Sequence, residues 1–87
     1  MKVITINEDN HGFLGVAKDY KSAIQFLIEE DWINEATEIY VDVEGGWLRL
    51  DEYFDDWKSE IENMSREYFD GLFYESFSLE DIDVYGS

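Results

Sequence analysis

The segment NEDNHG at residues 7–12 sets oxygen-bearing side chains close together, as a calcium loop does when its first, third and fifth residues bind and glycine follows at the sixth. Counted from Asn7, Gly12 falls correctly, but the twelfth position is Lys18, whose ammonium would repel the ion. The stretch therefore reads as a polar hairpin turn. His11 is the only histidine and cysteine is absent, which excludes two-histidine and thiolate metal sites. Asp51, Asp55 and Asp56 could hold at most a surface magnesium or calcium ion of the kind that crystallisation salts supply. None of the serines lies in a G-x-S-x-G nucleophile elbow. Paired carboxylates could do glycosidase chemistry, yet with 22 Asp and Glu some pair falls at any chosen separation by chance. No phosphate-binding glycine-rich loop is present. Neither catalysis, a cofactor nor a resident metal is expected.

The carboxylates themselves are the chemical signal. Against those 22 stand 6 Lys and Arg, giving a formal charge of −16 over 87 residues. Self-repulsion of that size opposes compaction. A chain so charged folds only if it buries enough apolar surface, and 45% hydrophobic and 17% aromatic residues are far above the disordered range. One compact acidic domain over residues 1–87 is expected, with a small core. Anionic lipid and nucleic acid would both be repelled, so neither is expected to bind directly. The natural partner is basic. The amino-terminal MKVITINEDN lacks the apolar stretch and cleavage site of a signal peptide, no run reaches the length of a membrane span, and a reducing compartment suits a cysteine-free chain. A cytoplasmic location is therefore expected.

The elements that must position these charges follow from periodicity. KVITIN (2–7) and FLGVAK (13–18) read as two strands of a hairpin around the polar cluster. Asp19 is placed to cap a helix whose Tyr20, Ala23, Ile24, Leu27 and Ile28 share one face. TEIYVDV (37–43) and WLRL (47–50) flank Glu44, Gly45 and Gly46 as a second hairpin. From Asp51, read as a cap, a second and longer helix is predicted, with Leu50, Tyr53, Phe54, Trp57, Ile61, Met64, Tyr68 and Leu72 as its apolar stripe. Glu52, Asp55, Asp56, Glu62 and Asp70 fall on the opposite face. A short closing strand is predicted at Ile82 to Tyr85. The sum is an α+β domain of order β-β-α-β-β-α-β, with a small, mostly antiparallel sheet of four or five strands packed against two helices.

The charge is grouped. Asp51 and Glu52 begin a helix, where negative charge complements the dipole and needs no further reason. Glu29, Glu30 and Asp31 end one, where it is unfavourable. Carboxylates one helical turn apart lie roughly 5–6 Å from each other and can imitate a line of phosphates. The expected partner-binding residues are therefore Glu29, Glu30, Asp31, Glu52, Asp55, Asp56, Glu62 and Asp70. Affinity would also need aromatic or arginine anchors. Phe69 and Phe73 lie off the apolar stripe, and Trp47 and Tyr74 are candidates for partial exposure; of the two roles open to these four, core packing against the carboxy-terminal strand is the one expected.

In size, acidity, absence of Cys and Pro, and carboxylate-studded helix, the chain resembles the small DNA-mimic inhibitors carried by phages and mobile elements, in particular the anti-CRISPR proteins aimed at RNA-guided nucleases. The resemblance is one of character and covers no diagnostic motif. It implies an inhibitor that occupies the DNA groove of a CRISPR effector nuclease, of type II by preference, inside a bacterial host. Carboxylates would meet the arginines that otherwise read guanines. An antirestriction DNA mimic is a close variant. A phage or bacterial adaptor that binds a basic regulatory protein without competing with DNA, and a domain whose charge serves solubility alone, are the readings from other classes.

Overall fold

The structure is a computed structural model that describes residues 1–42 and 45–84. It is α+β. Strand β1 (Lys2–Glu8) is the centre of a three-stranded antiparallel sheet, flanked by β2 (Gly12–Ala17) and β5 (Phe77–Asp83). Helix α1 (Tyr20–Glu29) follows the first hairpin. Strands β3 (Glu38–Val41) and β4 (Gly46–Arg49) form a separate antiparallel pair, then come α2 (Leu50–Tyr53), α3 (Trp57–Asn63) and α4 (Arg66–Leu72). The five strands thus divide between two sheets rather than one.

The first hairpin closes through Glu8, whose carboxylate accepts the backbone N–H groups of Asn10 and His11 at 2.9 and 3.2 Å, while Gly12 takes φ 79°. Those bonds favour the charged form and, with His11 beside it, hold the Glu8 carboxyl below its usual range. Alternation on β1 sends Ile4 and Ile6 into the core, where they meet Ala17 of β2 and Leu79 of β5. Helix α1 starts where its cap predicts, the Asp19 carboxylate accepting from the Ser22 N–H at 2.8 Å. It lays Ala23, Ile24 and Leu27 on the core. In the second hairpin Gly45 has φ 73°, as a tight turn requires; Val43 and Glu44, and Tyr85 of the expected last strand, lie outside the described residues.

Two expectations need correcting. The closing strand begins at Phe77, five residues earlier than the reading from Ile82, because Phe77 and Leu79 alternate inward while the segment pairs along all of β1, from Glu8↔Phe77 to Lys2↔Asp83. The long second helix is three short ones. Phe54 (φ −118°, ψ 138°) and Met64 (φ −73°, ψ 154°) are extended, and each break supplies a new cap. Asp56 accepts from the Ser59 N–H at 3.3 Å and Ser65 from the Tyr68 N–H at 3.1 Å. Asp51 is inside the first turn of α2, not its cap; it forks onto Arg49 at 2.9 and 3.1 Å. The breaks rotate the apolar face, so α3 buries Ile61 and α4 buries Phe69 and seats Phe73 beyond its end, whereas Tyr68 is 48% exposed.

Candidate functional site

No charged or polar side chain is buried among the described residues, so their acidity is at least partly open to solvent throughout. Among the described residues two ion pairs form there, Arg49 with Asp51 and Arg66 with Asp81, and the His11 ring lies against the Glu8 carboxylate. None of the eight carboxylates expected to bind a partner is in an ion pair among the described residues, and all eight are exposed. No group of three His, Cys, Asp or Glu suited to a metal ion occurs among them either. His11 serves the first turn: its Nδ1 is 2.6 Å from Glu8, and its ring packs edge-on against Trp32 at 4.8 Å.

The eight do not form one row. Glu52 belongs to α2, Asp55 and Asp56 to the turn before α3, Glu62 to α3 and Asp70 to α4. Two have local work: Glu52 accepts the Arg49 N–H at 3.2 Å, and Asp56 caps α3. The continuous helix face on which five of them were expected to align is thereby lost, since each break resets the helical phase.

Glu29, Glu30 and Asp31 end α1 in a Schellman motif. The Trp32 N–H donates to the Leu27 carbonyl at 2.8 Å and the Asp31 N–H to Ile28 at 3.1 Å. Asp31 occupies the left-handed position of that motif at φ 64°, which glycine fills without strain. Its carboxylate gains little in return, one bond from the Asn34 amide at 3.2 Å. Asp31→Gly is expected to raise stability by about 0.5–1 kcal/mol, by relieving the backbone and removing charge from a helix end. A thermal melt that moves down would show the Asn34 bond to outweigh both.

What the residue-type reading missed is Tyr40 and the aromatic surface that it forms with Trp47 and Tyr74. Tyr40 on β3 and Trp47 on β4 are directly paired, with rings 5.6 Å apart edge-to-face, and are 45% and 52% exposed. Tyr74, after α4, is 69% exposed. Of the two roles left open for Trp47 and Tyr74, exposure is the one found and core packing is not, while Phe69 and Phe73 are in the core. Two shallow grooves flank this centre. One is lined by Trp47, Tyr74, Glu8, Asp9 and Glu75; the other by Tyr40, Tyr53, Tyr68, Asp42 and Glu67. Neither contains a lysine or arginine. The Tyr74 hydroxyl donates to Glu75 at 3.1 Å; that bond, the charge of Glu75 and the nearby Asp42 all push its phenol above the ordinary value. The signal for this surface was in the alternation: on β3 Tyr40 shares its side with Glu38, and on β4 Trp47 shares its side with Arg49.

Comparison with family models, with curated proteins and with solved structures finds no match.

Proposed function

We propose that the protein is an acidic inhibitor that binds the basic nucleic-acid groove of a partner, a CRISPR effector nuclease of the type II class, and blocks DNA entry by imitating DNA. The observation that carries this reading is the uncompensated surface charge: a formal −16, with the Glu29–Asp31 cluster and Glu52, Asp55, Asp56, Glu62 and Asp70 all exposed and free of ion pairs among the described residues. A groove that releases counterions on taking up DNA attracts such a surface from a distance, and the attraction falls with salt. Retaining Asp31 where glycine would be more stable fits selection for something outside the monomer.

The division of the acidic segment into three helices favours a second reading, an adaptor that binds a basic regulatory protein without competing with DNA. One experiment separates them. Target DNA is titrated against a fixed amount of protein and effector nuclease, with the wild type and with Asp55→Lys, Glu62→Lys and Asp70→Lys combined. Asp56 is left intact because reversing it would remove the α3 cap. For a mimic, excess DNA relieves inhibition, the triple variant folds normally by circular dichroism, and its inhibition falls at least tenfold. Inhibition untouched by both DNA and the reversal rejects mimicry through this face. An antirestriction role is the same imitation with a restriction enzyme as target, tested in the same format.

A further inference from the structure

The two grooves around Tyr40 and Trp47 combine features that the charge alone does not explain. Solvation and long-range repulsion need only carboxylates, yet here large aromatic rings stand in water beside them. Three come from separate places in the chain: Tyr40 and Trp47 from facing strands, Tyr74 from the segment after α4. The fold gains little burial from them in this position. Exposed aromatic residues are the usual source of interface affinity, since they present a large area at small entropic cost.

The occupant follows from what surrounds the rings. Glu8, in the first groove, is already engaged by the turn N–H groups and His11, but Asp9 and Glu75 on that side and Asp42 and Glu67 on the other line the grooves, and among the described residues no lysine or arginine lines either. A neutral apolar partner would bury those carboxylates unpaired, at a desolvation penalty. A cationic one would pair them. Between the two biological cations, arginine fits better: its guanidinium stacks on an aromatic face, sheds water more readily than an ammonium, and takes a carboxylate in a fork. We propose that the Tyr40–Trp47–Tyr74 surface is the anchor site of the protein, and that it captures arginine side chains projecting from a basic protein partner. This rests on the functional reading above only in that the partner is basic; it places the tightest contacts on the β3–β4 hairpin and Tyr74 rather than on α2 to α4.

The isotopically labelled full chain is titrated with blocked hexa-arginine, hexa-lysine and hexa-glutamine at low and moderate salt, following amide and indole resonances. Hexa-arginine is expected to shift Tyr40, Trp47 and Tyr74 most, to bind at least threefold tighter than hexa-lysine, and to keep that preference as salt rises; hexa-glutamine is expected not to bind. Tyr74→Ala should remove most of the preference, and Tyr74→Phe, which keeps the ring, should retain it. Trp47→Ala should act like Tyr74→Ala. Tyr74 is the more exposed of the two, so its variants decide the matter if Trp47→Ala disturbs the hairpin. Equal affinity for the two cations, or shifts centred on Glu29–Asp31 and the α2–α4 carboxylates, would overturn the proposal. The two readings fail separately: nuclease inhibition that is absent while hexa-arginine binds here removes the inhibitor and leaves the anchor site, whereas DNA-competitive inhibition without an arginine preference here does the reverse.

Discussion

Phe69→Ala is expected to remove most of the protein's stability, while Tyr68→Ala, one residue earlier, is expected to be nearly silent. Phe69 is wholly buried, 4.7 Å from the Phe73 ring and 6.1 Å edge-on from Tyr20, and Phe73 in turn lies 5.8 Å from Phe77. This aromatic column joins α1, α4 and β5. Truncating a buried phenylalanine costs about 3–5 kcal/mol in lost transfer energy and cavity. A small domain has total stability of the order of 5–15 kcal/mol, and the charge and size of this one argue for the lower end. Tyr68 is half exposed, so its loss should cost less than about 1 kcal/mol. Urea unfolding followed by circular dichroism measures both. A larger cost at Tyr68 than at Phe69 would mean that the uninterrupted helical stripe, which places Tyr68 inside, describes the molecule better than three helices do.

That contrast also marks where the sequence stops being legible. The first half is readable almost residue by residue, because each element carries its own punctuation: Glu8 and Gly12 at the turn, Asp19 at the cap, five apolar positions on one face of α1. From residue 51 onward the apolar positions keep helical spacing through the points where the chain leaves the helix. Apolar spacing cannot reveal a break when Phe54 and Met64 are apolar themselves. The signal of the breaks is the pair of capping residues, Asp56 and Ser65, set within the segment. Charge was equally legible in amount and not in arrangement. Which carboxylates are exposed follows from their chemistry; which of them neighbour one another depends on the two breaks. The aromatic surface is a third case, since the β3–β4 alternation names its members, while the long-range approach of Tyr74 to that hairpin has no local signature.

The alkaline limb of stability is expected to depend on Tyr20. Its hydroxyl reaches from the start of α1 across to the α3–α4 break, donating to the Met64 carbonyl at 3.1 Å and lying 3.3 Å from that of Ser65. Met64 and Ser65 lie between the end of α3 and the start of α4, at the second break in the expected long helix, so this phenol holds the junction against α1. Desolvation first, and then the charge of Asp70, push its pKa up to about 12, with Arg66 opposing. The unfolded phenol titrates near 10. A folded value above the unfolded one means that the neutral form is favoured in the fold. Its contribution is therefore complete below pH 10 and is lost as pH rises through about 12. Tyr20→Phe keeps the ring against Phe69 and removes the donor, at a cost of about 1–2 kcal/mol at neutral pH. Tyr68 and Tyr74 are also shifted upward and will add to the alkaline loss in both proteins. The informative quantity is the difference in unfolding free energy between wild type and Tyr20→Phe. It should be constant from pH 7 to about 9.5 and shrink steadily above pH 10, as ionisation at 295 nm shows the late-titrating phenol missing from the variant. A difference that stays constant to pH 12 would show that the hydroxyl is not held at the α3–α4 junction.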